Sequence, residues 1–349
     1  MSSRSMLIGA VAVAGLGAGA ALVAFGIVPL GGAAKQTPSE SPAVATAPAA
    51  PSPGEASDHN KSVTQKSEED AAYNAFDQGK YLTALKLAQE AAARNDPQAH
   101  TLIGRIYAEG LGVPKDDATA ARWYAKAAEL GDMPAMLTLG NILAEGRGVK
   151  KDFGLAAEMY EKAALTGDPL ANYNLGLMFL RGTGKPENPY RAAEHIRYAA
   201  SKGVAAAQYD LGALYLAGSG VPNDALEAAR WTSKAAAQGM PEAEFEYAVM
   251  LLQGRGLKDD EPKAIQYMKS AAEKGVAGAQ NRMGHVYAEG VGVERNPIEA
   301  AKWRLIAKAS GLADDKLDLM VAALPDADRL KAETAAETWR DKKQVKAME

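Results

Sequence analysis

Cysteine is absent from the 349 residues, which excludes disulfides, thiolate nucleophiles and Cys-ligated zinc together. The compartment stays open, because a chain with a large repeat core can occupy an oxidising space without covalent staples. Aromatics are sparse, at 6% against 47% hydrophobic residues overall. Alanine and leucine must therefore fill most of the core, and small side chains suit closely packed helices. Charge of one sign is lacking as well. The formal net charge is −4 and no block of like charge stands out, so neither a nucleic-acid footprint nor a polybasic lipid surface is read.

Histidine is scarce, confined to His59, His100, His195 and His285. None lies in H-E-x-x-H and none has a second histidine three or four residues away, so the convergent ligands of a zinc site are not offered. Gly218-Ser219-Gly220 lacks the Gly-x-Ser-x-Gly nucleophile elbow. Paired loop glycines recur along the chain without the Gly-Lys-Ser/Thr ending of a phosphate loop. The chain is read as no enzyme, with no catalytic, cofactor or metal site; a secreted cell-wall or lactam hydrolase is the competing class that these absences disfavour.

What is present begins with an uncharged run from Met6 to Leu30, preceded by Arg4. About 20 apolar residues span a bilayer, whereas a signal-peptide apolar region has about 7–15. Two readings of residues 1–34 stand: an uncleaved single-pass anchor in the bacterial inner membrane, or a signal cut near Gly32-Ala33-Ala34. Arg4 on the short side keeps the N-terminus cytoplasmic in the first reading, and both place the rest of the chain in the periplasm or beyond. Residues 35–66, with Pro38, Pro42, Pro48, Pro51 and Pro53 among Ala, Ser and Thr, read as a disordered spacer, since they cannot bury enough apolar surface to fold.

Self-similarity settles the architecture. Blocks 96–131, 132–167, 168–203, 204–239, 240–275 and 276–311 align without gaps, each 36 residues long and each ending in Gly. An Ala opens a first helix (Ala99, Ala135, Ala171, Ala207, Ala243, Ala279), and five residues on stands Gly, replaced by Ala248 in block five. Mid-helix Gly costs about 1 kcal/mol against Ala, so its recurrence predicts close approach of a neighbouring helix. Two loop glycines follow, then Asp116, Asp152, Asn188, Asp224, Asp260 or Asn296, placed to cap a second helix. Seven residues past each cap a large residue recurs: Trp123, Met159, His195, Trp231, Tyr267, Trp303. With Ala at spacings of three and four this predicts one buried helix face. Residues 67–95 read as a capping helix pair and 312–349 as C-terminal capping helices, since a solenoid exposes apolar surface at its ends.

The pattern Ala-x-x-x-Leu-Gly-x-x-Tyr-x-x-Gly-x-Gly-Val, then Asp, then Ala-x-x-Trp-Tyr-x-Lys-Ala-Ala and a closing Gly resembles the Sel1-like repeat, as in Ala99 to Gly131 and Ala207 to Gly239. The first pair, with Gly79, Tyr81 and Ala84, looks more like a tetratricopeptide unit. Block three departs at Lys185 and His195, and block five at Ala248. The resemblance implies an all-α, right-handed α/α superhelical solenoid that binds proteins or peptides. For an exported bacterial member it implies a periplasmic adaptor, a regulator of envelope signalling, or a scaffold for polysaccharide or cell-wall machinery. Cysteine-rich relatives carry disulfides between helices, and this chain departs from them.

If the first helices line the concave groove, as the resemblance implies, three rows face it, counted from the opening Ala. Row two reads Thr101, Leu137, Tyr173, Tyr209, Phe245, Asn281; row six reads Arg105, Asn141, Leu177, Ala213, Val249, His285; row nine reads Ala108, Ala144, Leu180, Leu216, Leu252, Ala288. Apolar and aromatic residues gather in blocks three to five, and aromatic anchors favour contact surfaces. Tyr173, Leu177, Tyr209, Leu216, Phe245 and Leu252 are the candidate protein-binding stripe. The alternative reading packs them between adjacent first helices. A glycan would also suit exposed aromatics, and His285 is a candidate pH sensor.

Overall fold

The computed structural model describes residues 71–348. The expected anchor or signal at 1–34, the spacer at 35–66 and the start of the first capping pair lie outside the described residues. Among those residues every regular element is a helix, and none is long and apolar enough to cross a membrane. They form two compact units, one ending at Asn188 and one beginning at Pro189, so the division falls in the loop of block three.

The N-terminal unit opens with a helix described over 71–77 and with Tyr81–Ala92, followed by the pairs Pro97–Glu109 with Asp117–Glu129 and Met133–Glu145 with Phe153–Leu165, and then Pro169–Arg181. The C-terminal unit holds Pro189–Ser201, the pairs Ala205–Ala217 with Ala225–Ala237, Pro241–Gln253 with Glu261–Lys274, and Ala277–Glu289 with Pro297–Ala309, then Asp315–Ala322 and Asp326–Met348. Within each unit a first helix packs on its own second helix and that second helix on the next first helix. The all-helical solenoid of repeated helix-turn-helix units is thus present.

Capping explains where the helices start. Asp116, Asp152 and Asp260 each accept the N–H three residues on, and Asp224 and Asn296 accept two. Each satisfies donors that the first turn leaves without a partner. A second set escaped the sequence reading: Asp96, Asp132 and Asp168 cap the first helices of blocks one to three, while Val204, Met240 and Val276 hold the same place without a side-chain bond. The 36-residue register also continues upstream. Asn95, at φ 61°, stands where later blocks carry a closing Gly, and Ala84, Ala91 and Ala92 are buried like the alanines of the second helices.

The mid-helix glycine has the predicted reason. A β-carbon at Gly104 would lie 3.2 Å from the Tyr124 ring, one at Gly140 2.6 Å from Tyr160 Cε1, and one at Gly212 2.4 Å from Thr232 Oγ1. The residue met in each case sits eight past the cap. That position, rather than the large residue at seven, is the consistently buried one: Tyr124, Tyr160, Ile196, Thr232, Met268 and Arg304 are all buried, whereas of the seven-past residues only Trp303 is. The others, including His195, are half-buried, so their rings cover the core's edge with polar or mobile tips near solvent.

Row one past the opening Ala carries a further device that the sequence reading did not single out. Gln208 Nε2 donates to Ala200 O at 3.1 Å, Gln280 Nε2 to Ala272 O at 3.2 Å, and Asn172 Nδ2 to Ala164 O at 3.4 Å. These buried amides add a second donor to carbonyls in the last turn of the preceding second helix, which also accept from the closing Gly167, Gly203 and Gly275 N–H groups.

Candidate functional site

The row-two side chain of one block reaches toward the start of the next first helix. Thr101 Oγ1 donates to Asp132 Oδ1 at 2.9 Å. The Phe245 ring lies against Gly278, where a β-carbon would come within 3.0 Å of ring atoms. Asn281 Nδ2 donates to Asp314 Oδ2 at 2.8 Å. Asp314 caps Asp315–Ala322, so the C-terminal cap meets the last block much as one block meets the next.

Row six is partly committed to internal contacts. Asn141 is buried, accepting from Tyr160 Oη at 2.7 Å and from Asn174 Nδ2 at 3.2 Å. His285 Nε2 lies 2.6 Å from Asp314 Oδ2 and its Nδ1 lies 4.0 Å from Glu289 Oε1. This histidine, a candidate pH sensor on sequence, is engaged with the cap.

The six stripe residues divide between the units. Tyr173 and Leu177, in the N-terminal unit, are 2% and 6% exposed. Tyr209, Leu216, Phe245 and Leu252, in the C-terminal unit, are half-buried and keep accessible surface. Tyr209, Phe245 and Leu252 rest on a core cluster that includes Tyr247, Val249 and Met283; Leu216 rests on a smaller one with Ala228, Ala229 and Met250. In this unit the first-helix face therefore presents two aromatic and two aliphatic side chains that are half-buried and partly held by packing.

That face is also acidic. Burial pushes the Tyr209 phenol up, and the negative charges of Glu246, Asp210 and Glu242 push it further. Burial likewise raises the Glu246 carboxyl, against the opposing pull of Arg255. Among the described residues neither Glu242 nor Glu246 has a hydrogen-bond or ion-pair partner, and one Glu242 carboxylate oxygen is fully buried. Sequence reasoning passed over these acids because they sit beside the three rows, one turn apart on Pro241–Gln253.

At the C-terminal end the polar contacts are dense. Arg304 is completely buried; its Nε and Nη2 donate to the two Asp318 oxygens at 2.8 and 2.9 Å, and Nη1 donates to Leu312 O at 2.9 Å and Asn281 Oδ1 at 3.1 Å. Lys316 pairs with Glu289 at 2.6 Å. Burial alone would push the Asp314 carboxyl up, but the Leu317 N–H, the Asn281 amide and His285 together hold it below the usual carboxylate range. A carboxyl with a depressed folded pKa contributes stability that is present above its unfolded pKa and lost as pH falls through the folded value. The cap is therefore expected to hold at neutral pH and weaken below about pH 4. Melting temperature against pH for the chain and for Asp314→Asn checks this: the variant should lose part of the acid-side slope, and an unchanged slope would contradict it.

Comparisons with known proteins fit this geometry. A family model described as the Sel1 repeat matches six times, over 97–132, 134–168, 169–204, 205–240, 241–276 and 277–311. A Sel1 repeat protein from Oxalobacter formigenes is similar at 32% identity, with a TM-score of 0.62, over 69% of this chain and 99% of that one. A protective antigen of uropathogenic Escherichia coli, whose structure is described as displaying an SLR fold, is similar at 27% identity and a TM-score of 0.55, over 79% of this chain and 68% of that one. Comparison with curated proteins gives no match.

Proposed function

Because the chain belongs to the Sel1 repeat family, whose members are in general protein-interaction scaffolds, we propose that it is a non-catalytic adaptor that holds a protein or peptide on its first-helix face. The observation that carries this reading is the half-buried set Tyr209, Leu216, Phe245 and Leu252. Aromatic side chains already held in part by packing lose little entropy on binding, which is the property of contact hot spots.

The uncharged run from Met6 to Leu30 behind Arg4 supports a place on the outer face of the bacterial cytoplasmic membrane, tethered or released. In that setting the adaptor would serve envelope signalling or polysaccharide and cell-wall assembly, as a right-handed superhelix with its groove toward the partner.

The test is a Tyr209→Ala/Phe245→Ala double variant of the full chain, recovered from cells beside the parent. The parent is expected to retain a co-purifying protein that the variant loses while still folding cooperatively, at a moderately lower melting temperature. A variant that melts far earlier yet keeps the same partner would overturn the reading and make these two side chains packing residues.

A further inference from the structure

We infer that the first-helix face around Tyr209 and Phe245 takes a cationic side chain, Lys or Arg, from a partner segment that also presents an apolar residue to Leu216 and Leu252. The inference rests on the adaptor reading and names the chemistry of its partner.

Shape comes first. Tyr209 and Leu216 are seven residues apart on Ala205–Ala217, as are Phe245 and Leu252 on Pro241–Gln253. Seven residues of α-helix return to nearly the same side after a rise of about 10 Å. The aromatic pair and the leucine pair therefore form two contact points on one face, about 10 Å apart. A partner spans that gap with side chains three residues apart in a polyproline II segment, or seven apart in a helix.

Charge identifies what sits at the aromatic end. Glu242 and Glu246 are four apart and flank Phe245 on the same helix, and both bear on the Tyr209 phenol with Asp210. Basic groups of this unit include Arg255, which acts on Glu246, and Arg282, whose charge burial disfavours and Asp314 favours. Neither forms an ion pair with Glu242 or Glu246 among the described residues. Lys274 is committed to Glu244 at 2.6 Å. Two carboxylates thus stand partly desolvated without an ion-pair partner, beside two aromatic rings. Leaving such groups unmade is costly, and a cation over an aromatic face within carboxylate reach satisfies both features at once. The raised carboxyl of Glu246 is in keeping with an anion lacking its partner.

A negatively charged or neutral segment gains nothing at the acid pair, and a bare metal ion finds no prepared cage. Among the described residues no group of three or more His, Asp or Glu side chains is placed to hold a metal.

The experiment uses the full-length chain and labelled 12-residue peptides on a Gly/Ser background. Each carries Leu and, three or seven residues away, Arg, citrulline or Glu. Citrulline keeps the shape of Arg and removes its charge. The Arg peptide is expected to bind about tenfold or more tighter than its citrulline twin, and the preference should shrink as salt rises. Glu242→Gln/Glu246→Gln should reduce the preference to within about twofold while the chain melts no earlier than the parent, since like charges are removed. Equal binding of the Arg and citrulline peptides, or a preference that survives in the Gln variant, would overturn the cation inference and leave the adaptor reading standing. Absence of binding by every peptide would also overturn it; loss of a co-purified protein in Tyr209→Ala/Phe245→Ala then decides the adaptor reading separately.

Discussion

Gly256→Ala should destabilise the C-terminal unit by about 4 kcal/mol, while Gly275→Ala, in the same block, should cost only about 1–2 kcal/mol. Both glycines have positive φ, 73° and 109°, so both variants bear the strain of an L side chain in the left-handed region. They differ in what a β-carbon would meet. At Gly275 there is open space within 4 Å, whereas at Gly256 the new carbon would lie 1.9 Å from the Ala225 carbonyl oxygen and 2.8 Å from the Leu226 nitrogen. Those are backbone atoms at the start of the preceding second helix, and they cannot swing aside as a flexible side chain would. Gly220 repeats the relation against Pro189 O at 1.9 Å, and Gly184 against Phe153 O at 2.0 Å. The second loop glycine is therefore where consecutive blocks touch, and spoiling it separates two blocks rather than bending one. Chemical denaturation of both variants checks the difference. Equal shifts would mean that backbone strain alone governs these loops.

Asp318→Ala should cost about 3 kcal/mol, and Arg304→Met less than that. The asymmetry follows from burial. Arg304 is completely buried and Asp318 is its bidentate partner, so deleting the acid leaves a guanidinium in a dry place with only Leu312 O and Asn281 Oδ1 to hold it. Deleting the base instead removes the charge and leaves Asp318, which is part-exposed and also paired with Lys308 at 3.4 Å. A methionine is flexible and apolar enough to fill the space of the five preceding blocks' Tyr, Ile, Thr or Met. The same contrast separates a held cap from a merely adjacent one, because Asp318 sits on Asp315–Ala322 and Arg304 on Pro297–Ala309. Thermal melts of the two variants, compared side by side, read the order; an Arg304→Met chain less stable than Asp318→Ala would contradict it.

Arg304 also shows why some of the molecule was hidden from sequence reasoning. The position eight past each cap carries Tyr, Tyr, Ile, Thr, Met and Arg, so no residue type recurs and nothing draws attention to the row that is most deeply buried. The row at seven, with its three Trp, is conspicuous and lies at the core's edge. Helix starts and ends were legible because Asp, Asn, Pro and Gly act locally, through capping and backbone conformation. The contacts of the second loop glycine were not, since they depend on a neighbour 31 residues earlier in Gly256 and Ala225. For the candidate face, row positions were legible from helical spacing. Which members stay accessible was not: Tyr173 and Tyr209 occupy the same row, yet one is buried and the other half-buried. Asn141 and His285 looked like groove residues because a sequence shows their polarity and not their partners, Tyr160 and Asp314. Glu242 and Glu246 drew no attention for the same reason: a sequence does not show that one Glu242 oxygen is buried without a hydrogen-bond partner.

The central claim, that the first-helix face of the C-terminal unit holds a protein, is tested most directly by site-specific photo-crosslinking. A crosslinking residue is placed at Tyr209 in the full-length chain expressed in cells, with a control at exposed Lys234, and adducts are identified by mass spectrometry. A discrete protein adduct from position 209 and none from 234 is the predicted result. Equal adducts from both positions, or none from 209 in a chain that is folded and in place, would contradict the account and leave the face to a glycan or to packing alone.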